Sequence, residues 1–277
     1  MYIRRPAVAG SFYPADPEKL KKMICGYISQ AEKDQEPVKG KLYGIISPHA
    51  GYIYSGPVAA YGFSYLKYSN FDGFVVIAPS HRARFNGASV LSEGVYSTPL
   101  GEMEIDSEVG VELKKSSLFT YIKEIDEPEH SLEVQIPFIQ FMKPGLKLVP
   151  VIIGSTDISL CRKTGEVIAE AVKSLNRNYA IVISTDLSHY YPYKKAVQMD
   201  SDFISALKSF DENRIVETVK SGKGEACGEG ALLAGITAAR KLGASKIEIA
   251  KYANSGDTAG SKDEVVGYVS AVILGEE

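Results

Sequence analysis

The sequence has no tryptophan, only three cysteines and only four histidines in 277 residues. Cys25, Cys161 and Cys227 are an odd set with no Cys-x-x-Cys pair. That excludes a disulfide scaffold and a zinc-finger period, and it fits a reducing cytoplasm, the expected location. No apolar run approaches the roughly 18–20 residues that span a bilayer, so no membrane-spanning helix is expected. The opening segment MYIRRPAVAGSFYPADP carries two arginines but no long apolar stretch, and no signal peptide is expected. Positive charge is not in excess: 31 Lys and Arg stand against 34 Asp and Glu, a formal net charge of −3. Nucleic-acid or membrane-surface binding would call for a clustered basic patch, so neither partner is expected. Internal repeats and low-complexity tracts are also missing.

What is present is a hydrophobic fraction of 45%, enough for a sizeable core. Asp16-Pro17 followed by Leu20, Met23, Ile24, Tyr27, Ile28 and Ala31 predicts a capped amphipathic helix. LYGIIS (42–47), GFVVIAPS (73–80), GASVLS (87–92), LKLVPVIIG (146–154) and NYAIVIST (178–185) read as strands. Helices are expected over 131–142, with Pro137 as a kink, after the cap Ser155-Thr156-Asp157, over 200–209 and 212–220, and up to Gly243. KIEIAKYA (246–253) and VVGYVSAVIL (265–274) close the chain as strands, and antiparallel pairing there would make the sheet mixed. Near-continuous Ile/Val runs suit strands covered on both faces. The expected fold is therefore α/β: one domain over residues 1–277, with a central, largely parallel mixed β-sheet flanked by helices on both faces.

The histidines fall at element ends. LYGIISPH leads to His49, FVVIAPSH to His81 and AIVISTDLSH to His189, each an apolar run, a short turn and then histidine. Open α/β sheets bind ligands beyond the carboxyl ends of their strands. His130, in EPEHSLEVQIPF, stands at the expected start of a helix between Glu129 and Glu133. A single such histidine is more often a hydrogen-bonded loop residue, but four at element ends favour a shared site. Imidazole suits zinc, copper, iron and nickel, and it serves as a general base near neutral pH. Cys227, in GKGEACGEGALLAG, sits where a loop becomes a helix. It is either a thiolate available to a metal or a small buried residue like Cys25 and Cys161. Asp186, three residues before His189, is either a partner that orients an imidazole or a turn cap. Tyr52, Tyr54, Tyr190, Tyr191 and Tyr193 crowd the same places and either wall a pocket or pack.

The ordered segments RRPAVAGSFYPADPEKL, SPHAGYIYSG, APSH, EHSLEVQIPF, STDLSHY and ACGEGAL resemble the Memo family, from Arg5 to near the C-terminus. The resemblance implies a fold similar to the class III extradiol ring-cleaving dioxygenases, which hold non-haem Fe(II) with two histidines and a carboxylate. By motif, His49 and His81 correspond to the histidine ligands, His189 to the acid/base position with Asp186 beside it, and His130 to a further pocket histidine. The third ligand departs from that pattern: Cys227 stands in place of glutamate, and Glu225 or Glu229 could restore a carboxylate. The implied reading is a mononuclear metal site of His49, His81 and Cys227 in a metal-dependent oxidoreductase-like protein. Fe(II) is the expected ion, with Cu or Zn as alternatives. His189, Asp186 and His130 would take the catalytic roles. Two other readings stay open: a non-catalytic protein capturing a peptide, phosphopeptide or small anion in the same cleft, and metal-free hydrolysis with Cys227 as nucleophile. The substrate and the oligomeric state are not legible.

Overall fold

The computed structural model describes residues 1–258 and 260–276. Among these the strands are β1 (Ile3–Arg4), β2 (Lys41–Ser47), β3 (Gly73–Pro79), β4 (Ala88–Val90), β5 (Val95–Thr98), β6 (Gly101–Glu104), β7 (Phe119–Thr120), β8 (Lys147–Ile153), β9 (Tyr179–Ser184), β10 (His189–Tyr191), β11 (Lys246–Asn254) and β12 (Val265–Gly275). The helices are α1 (Pro17–Asp34), α2 (Tyr52–Tyr65), α3 (Ser107–Lys114), α4 (Lys123–Asp126), α5 (His130–Glu133), α6 (Ile136–Met142), α7 (Ile158–Ser174), α8 (Tyr193–Lys208), α9 (Glu212–Lys220), α10 (Glu229–Leu242) and α11 (Ser255–Thr258). None of them is long and apolar enough to cross a membrane.

The main sheet runs β10-β12-β2-β9-β3-β8-β4-β7, with β11 also paired to β12. Its centre, β2-β9-β3-β8, is parallel, while β12 pairs antiparallel with β2, and β4 with β8. The sheet is therefore mixed, as expected. A small second sheet, β1-β5-β6, was not anticipated.

The unbroken apolar runs follow from two cores, because successive side chains of a strand point to opposite faces. Phe74, Val76 and Ala78 of β3 join Leu20 and Ile24 of α1 and Phe63 of α2 on one side. Val75 and Ile77 join Ile168 of α7 and Leu232 and Ile236 of α10 on the other. Gly44 of β2 allows close approach to β9: a Cβ there would lie 2.0 Å from the Ile181 carbonyl oxygen.

Asp16, Asp157 and Asp211 cap their helices through side-chain oxygens, as the sequence predicts. Three expectations need correction. α8 starts at Tyr193 rather than at 200. The 131–142 helix is two short ones, α5 and α6, the second opening with Pro137 near its start. Tyr52–Tyr65 is a helix that the sequence reading left unassigned, because it is buried nearly all round and shows no amphipathic stripe.

The parallel centre brings the carboxyl ends of its strands to one edge. Ser47 of β2 is in register with Ser184 of β9, and Pro79 of β3 with Ile153 of β8. His49 and His81 each follow two residues beyond a strand end, and His189 opens β10.

The N-terminal segment is held across this edge by charge. Arg4 is 1% exposed and pairs with Glu133, which is fully buried. Nearby, Asp126 accepts a hydrogen bond from Tyr96, and its second oxygen has no partner. Burial pushes the Asp126 carboxyl up to about 6, against the opposing pull of Tyr96 and Arg4. A carboxyl raised in the folded state binds more protons folded than unfolded. Its stabilisation is therefore full below about pH 4 and lost as pH rises through about 6. Replacing Asp126 with Asn should remove this dependence. The stability of Asp126→Asn relative to wild type should rise by roughly 1–2 kcal/mol between about pH 5 and about pH 8. Urea unfolding at the two pH values measures it, and an unchanged difference would contradict the assignment.

Candidate metal centre

His49 is 2% exposed and anchored at both ring nitrogens. Its Nδ1 lies 2.8 Å from Ser184 Oγ. That hydroxyl donates its one proton to the Ser131 carbonyl at 2.7 Å and accepts from Gln135 Nε2 at 3.0 Å. It can therefore only accept from His49, so the imidazole proton sits on Nδ1 and Nε2 carries the lone pair. Burial pushes the His49 pKa well below its ordinary value, and the neighbouring His81, His130 and His189 add to the shift. The ring is a neutral base.

Glu129 does the same for the His81 ring and stands beside His130. Its Oε1 lies 2.9 Å from His81 Nδ1 and 3.3 Å from His130 Nδ1, and it accepts the Ser131 amide at 3.0 Å. Its Oε2 accepts the His81 amide at 2.6 Å. Burial alone would raise this carboxyl; the His81 ring and the two amides outweigh it and hold the group down at about 2. A carboxylate at Nδ1 leaves Nε2 of the His81 ring as the lone-pair atom. The His81 and His130 rings stack at 4.6 Å, and Phe12 covers His130 at 4.8 Å. Burial, opposed by Glu129 and aided by His81 and Arg82, brings His130 down to about 4. The metal-binding atoms that His49, His81 and His130 offer lie within 4.8 Å of one another.

Cys227 stands against His49 but outside this group of three. Its Sγ lies 3.1 Å from His49 Nε2 and accepts the Asp186 amide at 3.2 Å. The loop that carries it is pressed against the end of β9, where a Cβ on Gly228 would meet the Ser184 carbonyl oxygen at 2.4 Å. Burial is the main cause of a strongly raised Cys227 pKa, with Asp186 adding to it. The helix N-terminus that follows does not offset that burial. With the lone pair on Nε2 and the thiol protonated, the contact with His49 is an S–H···N hydrogen bond that places the sulfur at the lone-pair side of the His49 ring. Three imidazoles thus come together, with Ser184 at the Nδ1 of His49 and one oxygen of Glu129 beside the Nδ1 atoms of the other two, a donor set that fits one metal ion. Cys161 is buried, whereas Cys25 is exposed on α1, contrary to the buried position considered for it.

Asp186 is buried and its carboxylate accepts the His49 amide at 2.7 Å, which fixes the loop after β2. Burial raises its pKa to about 7, opposed by the His49 amide. The carboxylate beside His189 is Glu225, with Oε1 3.6 Å from Nδ1. Glu229 lies in the first turn of α10. Tyr190 follows His189 with φ of +61° and is 69% exposed, next to a bulge in the β10–β12 pairing. Tyr52 is buried and donates to the Val134 carbonyl, so it packs rather than lining an open wall, while Tyr54 stays partly exposed.

The sequence reading passed over Ser184, Gln135 and the role of Glu129. Only the Glu-His-Ser order around His130 signalled the last of these. The cleft edge is also tied to the N-terminus: Glu133 accepts the Ala7 amide at 2.7 Å, the Val8 amide at 3.0 Å and the Tyr13 hydroxyl at 2.6 Å.

Comparison with known proteins agrees with the residue pattern. A family model described as Memo-like protein matches residues 4–272. A MEMO1 family protein of Methanopyrus kandleri is 38% identical over 279 residues, covering 97% of this chain and 98% of its own length. One of Pyrobaculum arsenaticum is 38% identical over 281 residues, covering 98% of each chain. Among solved structures, an uncharacterized protein, JW3007, from Escherichia coli K12 superposes with a TM-score of 0.53. It is 15% identical and covers 84% of this chain and 100% of its own, so it shares the α/β fold. On the family model and these full-length relatives, the chain belongs to the Memo family.

Proposed function

We propose that the chain is a metal-dependent oxidoreductase-like protein with one metal ion held by His49, His81 and Cys227. One observation carries the reading: His49, His81 and His130 bring ring nitrogens within 4.8 Å of one another beyond the carboxyl ends of parallel strands, with Ser184 and Glu129 holding the Nδ1 atoms of His49 and His81. Bound Fe(II), the first choice, or Cu would supply redox chemistry with O₂, and Zn would supply Lewis acidity. Around it, Ser184 and Glu129 fix the ring tautomers. His189 moves a proton to or from the substrate, with Glu225 at its Nδ1. Asp186 holds the His49 loop in place, and His130 faces the substrate as a neutral base or as an additional nitrogen donor. The substrate is a small molecule, and we place the protein in the cytoplasm, where its three free cysteines persist reduced.

A test uses protein purified without oxygen and reloaded with each metal. Alkylation read at the Cys227 peptide should be slowed by metal and restored by a chelator, because a ligand sulfur is protected. His189→Ala should retain the metal and lose turnover of any substrate found. Equal alkylation with and without bound metal would remove Cys227 from the ligand set.

Partly or fully exposed aromatics beside the cleft, Tyr54 and Tyr190, favour a second reading: a non-catalytic protein that captures a peptide or small anion there. It predicts binding that survives a chelator. A metal-free thiolate nucleophile is disfavoured by the burial that raises the Cys227 pKa.

A further inference from the structure

The loop after β3 carries a second chemical group beside His81. Arg82 is exposed, and its Nε donates to the Pro128 carbonyl at 3.1 Å, with one terminal nitrogen donating to the same oxygen. One edge of the guanidinium is thereby fixed against the segment that leads into Glu129 and His130. Its remaining N–H groups stay available on the opposite side. Among the described residues Arg82 has no carboxylate partner. The carboxylate next to Pro128, Glu129, faces the two histidines instead. Arg4, Arg162, Arg177 and Arg240 pair with glutamates; Arg5, Arg84 and Arg214 share the lack of a carboxylate among the described residues, and what sets Arg82 apart is its backbone anchor beside His81. The Arg82 charge is near enough to the cluster to contribute to the lowered pKa of His130. The helix that follows His49, α2, adds to the same potential. It opens on Gly51 with no side-chain cap and no acidic residue in its first turn.

A guanidinium with one edge pinned and one edge open is preorganised for a bidentate oxyanion. We propose that Arg82 is a specificity residue of this centre: it receives an oxyanion, carboxylate or phosphate, carried by a substrate whose other end reaches the imidazole cluster. This rests on the metal-centre reading and narrows its substrate to anionic small molecules long enough to join the two. Arg84, two residues on, makes no such backbone anchor and serves as the comparator.

The experiment uses the full chain loaded with zinc, which is redox-silent, under argon. Calorimetric titrations compare catechol, a two-oxygen chelator of an open metal site, with its para-carboxylate and its para-phosphonate. In wild type, the better of the two anionic probes should bind about tenfold more tightly than catechol. Which one wins tells carboxylate from phosphate. The ratio of anionic probe to catechol, measured within each protein, should fall to about one in Arg82→Ala and persist in Arg84→Ala. Arg82→Lys should keep only part of it, because lysine is a point charge without the fork. A ratio near one in wild type, or one that survives in Arg82→Ala, overturns the proposal while leaving the metal centre intact. A chain that takes up no zinc and binds none of the three probes fails earlier: the metal reading falls, and this inference with it.

Discussion

In the His49→Ala/His81→Ala variant, metal retained after reloading with Fe(II), Cu or Zn is expected to fall from about one equivalent per chain to none. The two rings enter from different loops, after β2 and after β3, and their planes meet at 80° with centroids 5.1 Å apart. Removing both takes away donors from two sides of the point where the lone pairs converge. The remaining His130 and Cys227 cannot close a site alone, since structural and catalytic sites for these metals use at least three protein ligands. A graded companion is Glu129→Gln. The amide would turn a donor toward the His81 N–H groups, so the ring loses the partner that fixes its tautomer, and metal affinity should drop roughly 10–100-fold. Elemental analysis gives the first result and competition with a coloured chelator gives the second. One equivalent surviving in the double variant would falsify the site as drawn.

Glu133→Ala should destabilise the fold by about 3–5 kcal/mol, because it strands the Arg4 charge in the interior. The carboxylate also receives the Ala7 and Val8 amides and the Tyr13 hydroxyl, and three orphaned donors add to the cost. Arg4→Met should cost less than Glu133→Ala, since Glu133 keeps those three donors. The double variant Arg4→Met/Glu133→Leu should cost clearly less than the sum of its single changes, as coupled neighbours are not additive. Arg4 also donates to the carbonyls of Asp126 and Glu129, so loosening the pair loosens the segment that carries Glu129 and His130. Loss of stability and loss of metal affinity should therefore travel together in these variants. Denaturant unfolding beside metal titration checks the coupling. Strict additivity would mean that the two side chains act independently.

How much of this was legible depends on how local the signal is. The strands over 42–47, 73–80, 146–154 and 178–185 announced themselves because they are covered on both faces. The observed Lys41–Ser47, Gly73–Pro79, Lys147–Ile153 and Tyr179–Ser184 differ from them by a residue or two. α2 was silent for the opposite reason. Beyond the exposed Ile53 and Tyr54 of its first turn it is buried nearly all round, with Pro57 inside it, and a helix without a polar face has no period to read. The histidines were legible by position, since each follows a strand end or opens a helix. Their supports were not. Ser184 meets His49, Glu129 meets His81 and Glu133 meets Arg4 only because parallel strands bring distant loops to one edge. No spacing in the chain encodes such meetings. Asp186 shows the limit from the other direction. Standing three residues from His189, it invites a pairing along the chain, yet its carboxylate accepts the amide of His49.

The place of β12 in the sheet has a consequence for biosynthesis. It lies between β2 on one side and β10 and β11 on the other, with Ala271 in register with Ile46. As the polypeptide emerges from the ribosome, β2 appears early and must wait for nearly the whole remaining chain before that neighbour exists. Until then its apolar edge is unpaired, which is the condition under which nascent chains recruit holding chaperones or associate wrongly. His189, in register with Val266, reaches its final position only when β12 docks. The strand that pairs with β2 is thus also the one that His189 pairs with, so a chain interrupted before β12 lacks the support of both.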